Sequence, residues 1–367
     1  MRSAAGAGGG GGGCESPNLG IASGWHVSDE VGQERAADIW RDVPVVSGQV
    51  RVLDRLPLKW GGELSDVSVA YRLLGPADAP AVLVLGGISA GRHATASADD
   101  PTPGWWELGV GSGRPIDTER YRVLTLDYLS GRGETSAAGA EGLTSIDTRD
   151  QAAVCAALLG KLGIDRVRAV IGTSYGGMVA LAFAAEHANL AGHAVIFGAA
   201  HDSHPMATAW RAIQRDIVRL GMSAGDDRAG VRIARALAIT TYRSAAEFAR
   251  RFDATPERTP EGYRFPVEAY LQHQGNKFAD AFSAAKFLVL SESCDLHRID
   301  PAEVGVPTSL VAVDSDILVP TWQMRQLAEA LPDCRGLHEV ASDYGHDAFL
   351  IEESVVSVIG AALDRVG

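Results

Sequence analysis

Gly172-Thr173-Ser174-Tyr175-Gly176-Gly177 is the stretch whose reading decides the fold. The apolar run Val167 to Ile171 precedes it and a helical-looking run from Met178 to Glu186 follows, so Ser174 is expected on a sharp turn between strand and helix. Gly-x-Ser-x-Gly alone is a common string. In that context it reads as a nucleophile elbow, which lifts a serine hydroxyl out at the carboxyl end of a sheet, close to a helix N-terminus. The glycines allow a turn too tight for side chains.

Working outward, Val52 to Leu74 reads as two strands separated by Gly61-Gly62, an antiparallel hairpin at the edge of a sheet. Ala81 to Leu85 and Tyr121 to Asp127 are short buried strands. The long connection between them carries Gly86-Gly87-Ile88-Ser89-Ala90 and Gly104-Trp105-Trp106, and a connection of that length usually carries function. Ile146 to Leu162 has helical spacing and stops at Gly163. After Val195 to Gly198 the pattern turns helix-rich from about His201 to Asp295, with no convincing buried strand. Alternation then resumes with a strand from Ser309 to Val313, a helix after Pro320, a short strand from His338 to Val340 and a last helix from Asp347 to about Leu363. Such alternation implies a mainly parallel sheet covered on both faces. The economical reading is an α/β-hydrolase fold whose core, residues 46–200 and 296–367, is split by an inserted helical lid over residues 201–295. Residues 1–45, with a glycine run from Gly8 to Gly13 and no continuous apolar segment, read as a disordered extension or an over-early start, with the fold beginning near Gln49.

Composition narrows the function. The 367 residues carry a formal net charge of −13, which argues against a general nucleic-acid or anionic-membrane surface and leaves room only for a local basic pocket. A hydrophobic share of 46% and a charged share of 22% describe an ordinary globular chain, and no stretch reaches the length of a membrane span. Cys14, Cys155, Cys294 and Cys334 are scattered without metal-ligand spacing, so neither a metal site nor a disulfide framework is expected and a reducing cytoplasm fits.

Serine is a weak nucleophile and needs a base, which a carboxylate holds from behind. In this fold the chain order is Ser, acid, His, with acid and base on loops after later strands. Asp316 follows the strand ending at Val313, and His346 follows the last strand. Asp314 competes for the acid's place but lies nearer the strand end, where a carboxylate caps a loop. His187, His193 and His338 sit inside elements, and His201 and His204 precede the acid, so His346 is preferred as base. The oxyanion of acyl transfer needs two backbone donors, assigned to the N–H groups of Tyr175, directly after the nucleophile, and Ile88. The bland alternative for Gly86-Gly87 is a mere turn.

Together with the elbow, Asp316-Ile317-Leu318-Val319-Pro320 and Gly345-His346-Asp347-Ala348-Phe349-Leu350 resemble the homoserine O-acyltransferases. So do Gly104-Trp105-Trp106, Pro115-Ile116-Asp117-Thr118, Thr148-Arg149-Asp150, Thr241-Tyr242-Arg243-Ser244 and Tyr270-Leu271-Gln272-His273-Gln274-Gly275. The match runs in order from about Leu58 to Leu350. Two departures stand out: the segment that commonly reads His-x-Leu-Thr-Gly is Leu85-Gly86-Gly87-Ile88-Ser89, and the usual Phe before the proline of the acid motif is Val319. The resemblance implies transfer from an acyl-CoA co-substrate to the hydroxyl of L-homoserine, on the way to methionine, by a ping-pong route through an acyl-serine. It also implies no other cofactor, a helical lid and often a homodimer. Carried over by residue, it implies Ser174, Asp316 and His346 as the triad, Asp347 on the substrate amine and Arg215 on its carboxylate.

Arg211 lies one helical turn before Arg215, where acetyl-using relatives commonly have Asn. A second arginine suits the free carboxylate of a succinyl group, so succinyl-CoA is favoured over acetyl-CoA. The opposing reading gives this helix an apolar face of Trp210, Ile213, Ile217 and Leu220, with Arg211, Arg215 and Arg219 as its solvated flank. Transfer to L-serine, ester or thioester hydrolysis, and a non-catalytic receptor of the same fold are the alternative functions.

Overall fold

The hairpin that opens the fold consists of β1 (Val45–Pro57) and β2 (Glu63–Leu74), turning through Gly61 and Gly62 at φ of 94° and 84°. It begins at Val45, before the Gln49 start read from the sequence. The structure is a computed structural model that describes residues 43–136 and 144–365, so the expected extension lies, up to residue 42, outside the described residues. The parallel strands are β3 (Ala81–Leu85), β4 (Arg122–Leu126), β5 (Ala169–Thr173), β6 (Ala194–Phe197), β7 (Thr308–Val313) and β8 (Cys334–Val340). The eight strands lie in the order β1-β2-β4-β3-β5-β6-β7-β8, with β2 antiparallel to β4. This is the architecture of an α/β-hydrolase.

Period-two alternation splits each central strand between two apolar layers. Leu83 and Leu85 pack into one core with α1 (Thr148–Lys161) and α2 (Tyr175–Glu186), whereas Val82 and Val84 pack into the other with α9 (Glu353–Asp364). Burial on both faces explains why β3, β5, β6 and β7 read as short continuous apolar runs. The start of α1 is fixed by a capping box in which Asp147 accepts from the first turn and Asp150 accepts from the Asp147 N–H.

Between β6 and β7 the chain forms α3 (Pro205–Ser223), α4 (Asp227–Tyr242), α5 (Ala245–Arg251), α6 (Pro266–Ala279) and α7 (Ala284–Leu296). A small exposed hairpin, Glu257–Thr259 with Gly262–Arg264, interrupts this region, where no buried strand was expected. After β7, α8 (Thr321–Ala330) follows Pro320 as read. The last helix departs from expectation, since it is not continuous from Asp347. A 3₁₀ turn at Gly345–Asp347 and a short helix at Ala348–Ile351 precede α9, with Glu352 extended between them. The indole Nε1 of Trp106 donates to the Phe349 carbonyl at 2.8 Å and so occupies an acceptor that a continuous helix would have used.

Candidate active site

Ser174 sits between β5 and α2 at φ 56° and ψ −123°, a conformation a non-glycine residue rarely holds. Close packing accounts for the surrounding glycines: a Cβ on Gly172 would run into the Gly176 carbonyl, one on Gly176 into the Leu85 carbonyl, and one on Gly177 would lie 2.6 Å from Ala199 Cβ. The turn is closed by the N–H groups of Gly177 and Met178 donating to the Ser174 carbonyl. Tyr175 begins the helix, so its own N–H has no acceptor within the helix.

His346 Nε2 lies 2.7 Å from Ser174 Oγ, and its Nδ1 lies 2.7 Å from Asp316 Oδ2. A carboxylate only accepts, so Nδ1 carries the hydrogen and Nε2 is left to accept from the serine hydroxyl. The other oxygen of Asp316 accepts from the N–H groups of Leu318 and Val319 at 2.8 and 2.9 Å, which locks the carboxylate. Asp314 is exposed and accepts from the Ser342 N–H, so this carboxylate ties one loop to another. Burial alone would depress the His346 imidazole, but the facing Asp316, with Asp347 adding to it, outweighs burial and holds its pKa above the ordinary value. Gly198, in the left-handed region at φ 53°, backs this pair: a Cβ there would lie 3.3 Å from the imidazole Cε1.

The loop after β3 meets Ser174. A Cβ on Gly87 would come within 3.8 Å of Ser174 Cβ, and Ile88 borders the cavity that holds Ser174 and His346. Two aromatic braces hold this loop. Tyr128 donates to the Gly86 carbonyl at 2.8 Å, and its ring meets Tyr175 edge-on at 5.1 Å. Trp105 donates to the Gly91 carbonyl and stacks on Trp106, the residue that also captures Phe349 just beyond His346. The Gly104-Trp105-Trp106 motif thus ties the loop after β3 to the segment bearing His346. Gly104 itself has no room for a Cβ against the backbone of Ala94 and Thr95.

The opposite wall of the cavity comes from the inserted helices, including Arg211, Gln214, Arg235, Tyr242 and Phe278. Here the structure differs from the sequence reading. On α3, Ile213 and Leu220 are 53% and 69% exposed, while Arg211, Gln214 and Val218 are buried. The helix is rotated by Asp295 of α7, which accepts from Thr208 and Arg211 through Oδ1, each at 2.8 Å, and from Arg215 through Oδ2 at 2.6 Å. Arg211 borders the cavity and also bonds Ser203, whereas Arg215 stands behind it, spending Nη1 on Asp295 and on both oxygens of Ser291. Only Arg219 is the exposed flank residue that the opposing reading expected. Asp347 is likewise outside the cavity lining and pairs with the buried Arg243 at 3.1 Å, a residue that also meets Glu247.

Sequence reasoning missed Asp295, Arg235 and Gly198. A signal existed for Arg235, because it interrupts the buried stripe Val231, Ala234 and Ala238 of α4. Asp295 lies four residues after Ser291 on α7, so the two share a face, but nothing in the sequence pairs that face with α3.

The chain matches a family model described as the alpha/beta hydrolase fold over residues 80–353. It is 42% identical to a homoserine O-succinyltransferase of Xanthomonas campestris pv. campestris, over 88% of this chain and 85% of that one. A serine O-succinyltransferase of Litchfieldella anticariensis is 38% identical, over 80% and 91%. Among solved structures, a homoserine O-acetyltransferase from Staphylococcus aureus superposes with a TM-score of 0.75 at 25% identity, covering 88% of this chain and 97% of its own.

Proposed function

Because the chain belongs to the homoserine O-acyltransferase family of the α/β-hydrolase fold, we propose that it transfers an acyl group, succinyl in preference to acetyl, from CoA to the hydroxyl of L-homoserine, on the way to methionine. The observation that carries this reading is the unbroken hydrogen-bond chain Ser174–His346–Asp316, which faces a cavity bordered by Arg211. In the first half-reaction His346 takes the Ser174 proton as Oγ attacks the thioester carbonyl. The N–H groups of Tyr175 and Ile88 receive the oxyanion. The CoA thiol leaves with the proton from His346, and an acyl-serine remains. In the second half-reaction His346 deprotonates the amino acid's hydroxyl, which takes the acyl group as the bond to Oγ breaks, and His346 returns the proton to Ser174.

Arg215 and Asp347 hold the zwitterion in this scheme. Among the described residues Arg215 bonds through Nη1, and in this scheme its Nε–H and Nη2 groups turn to the substrate carboxylate from behind the cavity wall. Asp347 exchanges part of its pairing with Arg243 for the ammonium. Oriented attack then outruns water under the helical cover. L-Serine is the competing acceptor, being the substrate in the name of the Litchfieldella relative and one methylene shorter. The proposal places the enzyme in the cytoplasm as a homodimer, with CoA thioester as co-substrate and no other cofactor. Support for the dimer is the exposed apolar stripe Met206, Ile213 and Leu220 along α3.

The test pairs succinyl-CoA and acetyl-CoA with L-homoserine and L-serine, following thiol release and product mass. O-Succinylhomoserine is the expected main product, and Ser174→Ala is expected to abolish both signals. Thiol release with no O-acyl amino acid in any pairing would replace this reading with a thioester hydrolase.

A further inference from the structure

We infer that Arg235, rather than Arg211, is the receptor for a free carboxylate at the far end of the acyl group, which makes the preferred donor a dicarboxylic half-thioester. This inference rests on the acyl-CoA reading above. Three arginines stand in or behind the cavity wall, and two of them, Arg211 and Arg215, share the carboxylate of Asp295. Arg235 also borders the cavity, but among the described residues its partners are aromatic only. Its guanidinium lies 4.7 Å from the ring centre of Phe278 and 5.2 Å from that of Tyr242. Stacking orients a guanidinium but leaves its in-plane N–H donors unfilled, and those donors match the two oxygens of a carboxylate.

Position agrees with this assignment. Tyr242 touches both centres, since its ring lies 6.0 Å from that of His346 while its face carries Arg235. The unfilled cation therefore stands one aromatic residue away from the base that serves Ser174. Asp202 is the carboxylate that borders the cavity, beside His201 and bonded to Gln323. Arg211 and Arg215 are held by Asp295, whereas Asp202 lies with His201 and Gln323, so Arg235 is the cavity arginine for which no carboxylate partner stands among the described residues.

The experiment compares succinyl-CoA with butyryl-CoA, which has the same chain length without the charge, and with acetyl-CoA. It measures kcat/KM for thiol release at saturating L-homoserine, with O-acyl product checked by mass. The wild-type protein is expected to prefer succinyl over butyryl by roughly 30-fold, the scale of one charge-assisted pair. Arg235→Gln is expected to bring that ratio close to one, with Arg235→Lys between the two. A ratio near one in the wild type, or one unchanged in Arg235→Gln, overturns the assignment. So does a raised KM for the amino acid with the donor ratio intact, which gives Arg235 to the acceptor instead. If Arg235→Gln does not fold, Arg235→Lys carries the comparison, and a donor ratio in it equal to that of the wild type overturns the assignment. Wild-type transfer of acetyl or butyryl but not succinyl sinks this inference and the succinyl preference while leaving acyl transfer to homoserine standing, whereas no O-acyl product from any donor sinks the proposed function and this inference with it.

Discussion

The carboxyl edge of the sheet and the helices inserted over it are built on opposite electrostatic plans. At the sheet edge the polar groups close into one chain: Ser174 meets His346, His346 meets Asp316, and Asp316 spends its second oxygen on two backbone N–H groups. In the helical cover one carboxylate, Asp295, serves two arginines, while a third cation, Arg235, rests on aromatic rings. The first arrangement is complete without a substrate and is suited to moving one proton. The second leaves Arg235 against rings alone among the described residues, open to what binds. The contrast suggests that the sheet sets the kind of reaction and the cover sets what reacts.

Four substitutions would break or sharpen that contrast. The largest effect is expected at the sheet edge, where Asp316→Asn leaves the shape intact but removes the charge that holds the imidazole tautomer. By analogy with serine hydrolase triads, kcat should fall about 10⁴-fold. A pre-steady-state thiol burst of wild-type size in this variant would show that the tautomer is held by something else. Asp295→Asn is expected to be milder in kcat and heavier in stability, costing about 3 kcal/mol because two largely buried guanidinium groups lose their shared counter-ion. Urea unfolding measures this, and the KM for the amino acid should rise in the same variant. Unchanged stability would mean that the arginines find water or another anion.

The smallest effect is a displacement of the acid limb of kcat/KM against pH. His346 must be neutral to take a proton, and its pKa lies above the ordinary histidine value, so activity falls as pH drops through that raised pKa. Asp347 contributes to the raising and Arg211 opposes it. Asp347→Asn should therefore move the acid limb to lower pH, and Arg211→Gln should move it to higher pH. A profile that moves the same way in both variants would count against direct electrostatic control by Asp347 and Arg211.

The sheet edge was readable in the sequence because its rules are local and ordered. Gly172, Gly176 and Gly177 are dictated by contacts of a turn that every residue of the motif shares, and the positions of Asp316 and His346 follow from strand order. The cover was not readable to the same depth. Trp210, Ile213, Ile217 and Leu220 make a convincing apolar stripe on paper, yet Ile213 and Leu220 face outward because Asp295 draws Arg211 and Arg215 inward. That draw is exerted by a residue about eighty positions away, through a pairing no periodicity encodes. The break at Glu352 was hidden for a related reason, since the Phe349 carbonyl is captured by Trp106, 243 residues earlier in the chain.

Motifs quoted for their resemblance also divide by role. Thr148-Arg149-Asp150 proves to be scaffolding, with Asp150 in the capping box, Thr148 against the buried His297, and Arg149 bridging Glu186 and Glu303. Thr241-Tyr242-Arg243-Ser244 straddles both roles. Tyr242 lines the cavity, while Ser244 caps α5 and donates to the Asp343 carbonyl.

The backbone at Ser174 bears on how such a chain is kept by selection. A left-handed φ outside glycine costs about 1–3 kcal/mol, and the surrounding turn over-determines it. Glycine would relieve that strain, so a chain that lost its nucleophile to glycine would stand to gain stability as it lost chemistry. Drift toward greater stability therefore runs against the serine, and a population screened only for folded protein would be expected to shed this residue early.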